Sequence, residues 1–256
     1  MTNRVLFDLT GRRALITGSS QGIGFALARG LAGSGAEIIL NGRRADKLAE
    51  AAAALSAEGA AVHHAAFDVT DPQAVSTAID AIERDVGAID ILINNAGIQR
   101  RASLEDFPEE TWRELMRTNL DSVFFVAKAV AKHMIARKAG KIVNICSVQS
   151  ELGRPSIAPY AASKGAIKML TKGMCVDWAK HNIQVNGLGP GYFKTELTDA
   201  LVKDESFSNW LAARTPAGRW GNVEELVGAA VFLSSDASSF VNGHILYVDG
   251  GITSSL

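Results

Sequence analysis

Short apolar runs alternate with longer amphipathic stretches along the whole chain, and this alternation limits the possible folds more than any other feature. Arg13 to Thr17, Glu37 to Gly42, Ala61 to Ala66, Ile89 to Asn94, Lys141 to Ile145, Ile183 to Leu188 and Ile245 to Val248 read as strands. Most are apolar at successive positions, as strands covered on both faces of a parallel sheet must be. Helical patterns fill the gaps near Ile23–Ser34, Ala45–Glu58, Pro72–Val86, Glu109–Ala136, Tyr160–Lys180 and Val223–Ser234. The repeat is βαβ and predicts an α/β fold: a doubly wound, Rossmann-type parallel sheet of seven strands with helices on both faces. Ligands of such a sheet bind outside the carboxyl ends of its strands.

No linker, low-complexity tract or charge block divides the chain, so residues 1–256 are expected to form a single dinucleotide-binding and catalytic domain. The segment 189–221 breaks the rhythm with aromatic and charged residues and no strand pattern, which suits a lid or substrate loop. A hydrophobic content of 47% with 21% charged residues describes a soluble protein with ample core. The net charge of -1 offers no footprint for nucleic acid or an anionic membrane. Met1 to Thr10 lacks the apolar core of a signal peptide, and no run approaches the roughly 18 apolar residues of a membrane span, so a cytoplasmic location is expected. Cys146 and Cys175 are too few and too far apart for a disulfide framework, and His63, His64, His133, His181 and His244 lack metal-ligand spacing. No metal is expected.

Thr17-Gly18-Ser19-Ser20-Gln21-Gly22-Ile23-Gly24 follows the first strand directly and leads into the first helix. Glycines there permit a tight turn and let backbone N–H groups approach a pyrophosphate at the helix N-terminus. The second strand ends in Asn41-Gly42-Arg43-Arg44, where an NAD site usually carries an acid for the ribose 2′-hydroxyl. Arg43, with Arg44, could instead pair with a 2′-phosphate, so NADP is favoured over NAD. Asp68 stands where a carboxylate could meet the adenine amino group, or could simply help to enter the next helix.

Ser147 and the Tyr160-Ala-Ala-Ser-Lys164 segment carry the chemistry. On a helix Lys164 lies one turn from Tyr160 along the same face. A phenol of pKa about 10 is a poor base at neutral pH, and a nearby ammonium lowers that value. Tyr160 could then exchange a proton with a substrate oxygen held by the Ser147 hydroxyl.

Gly18-x-x-x-Gly22-x-Gly24, Asn94-Asn95-Ala96-Gly97, Asn119, Ser147, Tyr160-x-x-x-Lys164 and Pro190-Gly191 occur in one order over nearly the whole chain. The set resembles the short-chain dehydrogenase/reductase family. The resemblance implies that Ser147 orients the substrate oxygen and that Tyr160 is the proton donor or acceptor. It assigns Lys164 to the nicotinamide ribose, Asn119 to a proton-relay water and Thr195 to the carboxamide. With the readings above, the cofactor is expected along Gly18, Ser20, Gln21, Gly22, Ile23, Gly24, Arg43, Arg44, Asp68 and Val69. It would continue past Asn95, Ala96, Gly97, Tyr160, Lys164, Pro190, Gly191 and Thr195. Many NADP-using members carry Arg or Lys where this chain has Gln21, so the NADP expectation rests on Arg43.

Asn95 to Arg101, Asn144 to Arg154 and Gly191 to Glu196 narrow the resemblance to the gluconate 5-dehydrogenases, or 5-ketogluconate reductases, within the family. A sugar acid presents one carboxylate and a row of hydroxyls, so its site needs a guanidinium and several polar partners. Arg100, Arg101, Gln149, Glu151 and Arg154, with Ser147 and Tyr160, are the candidates, the alternative being that the arginines form surface salt bridges. The expected reaction is reversible hydride transfer between the C5 carbinol of D-gluconate and NADP+. Reduction of a 3-oxoacyl thioester or another sugar or polyol is the competing enzyme reading. A catalytically silent nucleotide-binding sensor is the competing reading of a different class. Val123, Phe124, Val126, Ile167, Met169, Met174 and Trp178 place apolar residues on more than one side of the two long helices. The family pairs these helices across subunits, so a homotetramer is expected.

Overall fold

Seven parallel strands in the order β3-β2-β1-β4-β5-β6-β7 form the sheet of the computed structural model, which describes residues 5–255. Met1 to Arg4, the start of the segment read above for a targeting signal, and Leu256 lie outside the described residues. In chain order the elements are β1 (Arg13–Ile16), α1 (Gly22–Gly33), β2 (Glu37–Gly42), α2 (Ala45–Ala57), β3 (Val62–Ala66), α3 (Pro72–Asp85) and β4 (Ile91–Asn94). They continue with α4 (Glu109–Met116), α5 (Ser122–Arg137), β5 (Gly140–Ile145), α6 (Ala158–Trp178) and β6 (Ile183–Pro190). The last are α7 (Asp199–Val202), α8 (Glu205–Arg214), α9 (Val227–Ser234) and β7 (Ile245–Val248). The strand order reverses between β1 and β4, which opens the crevice at their carboxyl ends.

The continuous apolar runs are explained by two cores. Ala14, Ile16, Ile38, Leu40, Ile91, Ile93 and Val143 face α1, α2 and α9 on one side of the sheet. Their chain neighbours Leu15, Ile39, Leu92 and Ile142 face α3, α5 and α6 on the other. Successive side chains point to opposite faces of a strand, so both sets must be apolar. The edge strand β3 departs from this, with His63 and His64 exposed.

Two expectations change. The helix read over 109–136 is divided, because a π-helical turn at Arg117–Asp121 separates α4 from α5. The segment 189–221 is more regular than a loop: β6 extends through Pro190, α7 and α8 follow, and Phe193 bridges to Gly221. Most of its aromatic residues pack inward, although Trp210 is exposed. Leu211 and Trp220 pack with Val148 and Ile252 in a third, smaller core, joined by Tyr192 and Phe207.

The apolar excess of the long helices also divides. Val123, Val126, Ile167 and Met174 are buried within the subunit and Trp178 packs against that core, whereas Phe124 and Met169 are exposed. Trp112 and Val176 add to the exposed apolar residues of α4 and α6. No helix among the described residues is long and apolar enough to cross a membrane.

Candidate active site

The glycine-rich turn closes onto the end of β4. A Cβ on Gly18, whose φ is +60°, would lie 2.9 Å from the Ala96 Cα, and one on Gly24 would lie 2.5 Å from the Gly18 carbonyl oxygen. Asn95 secures this contact: its Nδ2 donates to the carbonyls of Thr17 and Gly18, both at 2.9 Å. The Thr17 Oγ1 in turn accepts from the N–H groups of Asn95 and Ala96 at 2.9 and 3.0 Å. Gly22, at φ +59°, has nothing within 4 Å of its missing Cβ, and no side chain caps α1 behind it. Uncapped N–H groups, the positive end of the helix dipole and open space at Gly22 fit a dinucleotide pyrophosphate.

Ser20, Gln21 and Ile23 line the same turn, with Ser19 tying it to β2 through its Oγ. Arg43 and Arg44 are exposed between β2 and α2 and form no salt bridge among the described residues. Burial would raise the Asp68 carboxyl, but bonds from the Thr70 N–H and hydroxyl and the charges of Arg43 and Arg117 hold it below its ordinary value. Val69 is buried in the core. Gly191 is held against Asp249, where a Cβ would come 2.7 Å from the Asp249 Cα. Thr195 opens a short helical turn through a capping box with Thr198.

Ser147 follows β5 and its Oγ accepts from the Gln149 N–H at 3.2 Å. Tyr160 lies in the first turn of α6, behind Pro159, and Lys164 comes one turn later with its Nζ 5.7 Å from the phenol ring centroid. The Lys164 Nζ donates to the Ile145 carbonyl at 2.7 Å. Burial pushes the Tyr160 phenol up to about 12, the Ser147 hydroxyl offsetting part of the rise. Burial likewise draws Lys164 down to about 8. Desolvation dominates the Tyr160 shift, and the lowering expected from the ammonium is not among its causes in this structure.

Asn119 sits in the π turn, fully buried, and clasps the backbone of Ile98 at both ends. Its Oδ1 accepts from the Ile98 N–H at 2.8 Å and its Nδ2 donates to the Ile98 carbonyl at 3.0 Å. The same Nδ2 reaches the Ser163 Oγ at 3.2 Å, and that hydroxyl donates to the Tyr160 carbonyl at 2.7 Å. Cys146, beside Ser147, is pushed up to about 11 by burial and is no nucleophile. No group of three or more His, Cys, Asp or Glu side chains able to hold a metal occurs among the described residues.

Ser147 and Tyr160 open into one cavity with Gln99, Arg101, Gln149, Arg154, Gly191 and Tyr192. Burial and the nearby Arg154 charge lower the Arg101 pKa, and neither guanidinium has a carboxylate partner among the described residues. Two of the expected substrate residues do not line this cavity. Arg100 is exposed and forked onto Glu114, with N–O distances of 3.2 and 3.0 Å. Glu151 is spent on Lys168 and on the Tyr247 hydroxyl. The surface salt bridge weighed above as the alternative thus holds for Arg100. Conversely, Gln99, Ile157, Tyr192, Thr198 and Leu201 line the cavity although the sequence reading passed over them. Gln99 could have been found from its place directly before Arg100 and Arg101 at the end of the β4 loop.

A family model described as short chain dehydrogenase matches residues 12–206. Over 256 residues, covering all of both chains, the sequence is 65% identical to a gluconate 5-dehydrogenase of Gluconobacter oxydans (strain 621H). It is 59% identical over 247 residues, 96% of this chain and 97% of the relative, to a 5-keto-D-gluconate 5-reductase of Escherichia coli (strain K12). The crystal structure of a gluconate 5-dehydrogenase from Burkholderia cenocepacia J2315 in complex with NADP and tartrate is 64% identical. It superposes with a TM-score of 0.96, covering 98% of each chain.

The buried lysine makes the site costly, and the sign of that cost can be tested. Because the folded pKa of Lys164 lies near 8, below the ordinary 10.5, the native state binds fewer protons than the unfolded chain between those values. The penalty, roughly 3 kcal/mol, is full below pH 8 and fades as pH rises toward 10.5. Urea unfolding of Lys164→Met should show the variant's stability relative to wild type falling by about 2–3 kcal/mol between pH 7 and pH 10. A relative stability that does not change with pH would mean that Lys164 keeps an ordinary pKa.

Proposed function

The chain belongs to the short-chain dehydrogenase family, and on that premise we propose that it catalyses reversible, NADP-dependent hydride transfer between D-gluconate, at C5, and 5-keto-D-gluconate. The observation that carries this reading is the sharing of one cavity by the Tyr160 phenol, the Ser147 hydroxyl and two guanidiniums without acidic partners among the described residues. A substrate with a carbinol at one end and a carboxylate at the other answers both halves of that cavity. The names of the relatives at 65% and 59% identity point the same way.

When bound, the nicotinamide accepts the hydride in oxidation and delivers it in reduction. Ser147 holds the substrate oxygen, and Tyr160 takes the hydroxyl proton in oxidation and returns a proton to the carbonyl oxygen in reduction. With its phenol near 12, Tyr160 is a protonated acid at neutral pH, ready for the reductive direction. Lys164 holds the nicotinamide ribose and limits the cost of the phenolate. Asn119, fixed on Ile98, sets the π turn beside them, and such turns recur at functional sites. Arg101 and Arg154 take the carboxylate. The segment 189–221, which contributes Tyr192, Thr198 and Leu201 to the cavity wall, acts as its lid.

NADP is preferred over NAD because Arg43 is exposed at the end of β2, with no salt bridge among the described residues, where a 2′-phosphate would lie. The exposed Trp112, Phe124, Met169 and Val176 are covered by a second copy of the chain in a homotetramer. The protein works in the cytoplasm on a small sugar acid.

Tyr160→Phe should bind NADPH as wild type does yet lose at least about 1000-fold in kcat for reduction of 5-keto-D-gluconate, within the range general acid catalysis supplies. Unchanged turnover would remove Tyr160 from the chemistry. Steady-state comparison with an acetoacetyl thioester should favour 5-keto-D-gluconate, and a clear preference for the thioester would overturn the substrate. Arg43→Ser should lower kcat/KM for NADPH about 10–100-fold while leaving NADH little changed, since a charge-assisted bond contributes about 1.5–3 kcal/mol. Equal losses with both cofactors would contradict the role given to Arg43. Light scattering should give a tetramer, and a monomer would refute the assembly.

A further inference from the structure

We infer that Gln99 and Gln149 read hydroxyl groups of the substrate, so that the site selects a polyhydroxy acid and rejects analogues lacking a hydroxyl at the positions these amides meet. The inference rests on the activity proposed above and adds its specificity.

The Oε1 atoms of both glutamines are buried and have no hydrogen-bond partner among the described residues, and both side chains line the Ser147–Tyr160 cavity. The rest of each residue is fixed. Gln149 is buried in the short turn Val148–Ser150, its N–H donating to the Ser147 Oγ. Its Nε2 donates to the Tyr192 hydroxyl at 3.2 Å, which leaves Oε1 as the unengaged end of the amide. Gln99 lies between Ile98, clasped by Asn119, and Arg100, forked onto Glu114 and bonded through Nη1 to the Gln99 carbonyl at 3.1 Å. These bonds hold the Gln99 backbone on both sides.

A buried carbonyl without a donor costs roughly 1–3 kcal/mol, so two of them around one cavity favour a ligand that brings donors. Arg101 and Arg154 only donate and the two amide oxygens only accept. Together they call for an anion and two O–H groups on one small molecule. A methylene or a ketone in place of a hydroxyl brings no donor and leaves an oxygen orphaned. Sites built to bond a hydroxyl reject the analogue lacking it far more strongly than apolar pockets reject a missing methylene.

The test crosses enzyme variants with substrates. Wild type, Gln99→Met and Gln149→Met are compared in NADP-dependent oxidation of D-gluconate and of its 2-deoxy, 3-deoxy and 4-deoxy analogues. Thermal melts and NADPH titration confirm that each variant is folded and loaded. Each substitution should lower kcat/KM for D-gluconate about 10–100-fold while changing the rate on one deoxy analogue less than about 3-fold, because there the amide has nothing to bind. If Gln149→Met fails to fold, Gln149→Asn withdraws the same oxygen by one methylene and takes its place. Equal losses on all four substrates would reduce the glutamines to structural residues, and no loss on D-gluconate would remove them altogether. Either result overturns this inference and leaves the activity standing. A wild-type enzyme inactive on D-gluconate and on 5-keto-D-gluconate would overturn both together.

Discussion

Hydrogen bonds between the carboxyl ends of β1 and β4 hold the site together where apolar packing cannot. The two strands send their following segments to opposite faces of the sheet, so a crevice opens between them. Across it Asn95 donates to the carbonyls of Thr17 and Gly18, and Thr17 accepts from two backbone N–H groups. These groups are part-buried, and a fully buried one would cost roughly 1–3 kcal/mol if left unpaired. From Ala96 the chain passes to Ile98, where Asn119 clasps the backbone, and Asn119 reaches Ser163 and so the Tyr160 carbonyl. The nucleotide turn, the π turn and the helix of Tyr160 and Lys164 therefore share one polar scaffold. A second such ladder runs from Asn94 to Asn144 and from there to Thr171, joining β4, β5 and α6 deeper in the sheet.

Burial acts on Tyr160 and Lys164, the proposed catalytic pair, in opposite directions and penalises the charged form of each. It raises the phenol and lowers the ammonium, so at neutral pH the free site holds a protonated phenol beside an ammonium that gives up its proton more readily than usual. Both directions of the proposed reaction involve a phenolate, as the starting base in oxidation and as the product of proton donation in reduction. Lys164, one turn along and anchored on Ile145, is the positive charge placed to offset it. The stability that Lys164 costs and the charge that it supplies are the same physical fact.

The fold was legible because its periodicity is redundant. Seven strand runs, five of them buried at nearly every position, admit few architectures, and the two cores follow from the alternation of Leu15 with Ala14 and Ile16. Residues bound to backbone geometry, such as Gly18, Gly24 and Asn95, were legible too, since close approach tolerates few side chains. The π turn was not, because Glu109 to Ala136 carries a helical pattern throughout and the widening at Asn119 depends on the bonds to Ile98 and Ser163. Nor was the division between Arg100 and Arg101. The first meets Glu114, a partner 14 residues away on α4, and the second faces Arg154. Such pairings are tertiary, and composition around a strand end cannot separate them. Glu151 is a similar case, drawn off by Lys168 and Tyr247 from α6 and β7.

Arg154 links the proposed anion site to the proposed lid. Its guanidinium lies 5.3 Å from the Phe207 ring centroid, and Phe207 belongs to α8. Phe207 in turn makes ring contacts with Tyr192, Trp210 and Trp220; Tyr192, Phe207 and Trp220 pack in the third core, which meets one main core through Tyr247. Phe193 of the same segment is instead buried in the first main core, so the proposed lid is anchored to the sheet at one end and packs in the third core at the other. A carboxylate held by Arg154 would fix the guanidinium, and the guanidinium fixes the ring beneath it, since cation–π contacts strengthen as the cation is desolvated. Because Tyr192 also accepts from Gln149, the lid touches the anion side and the hydroxyl side of the cavity through one aromatic cluster.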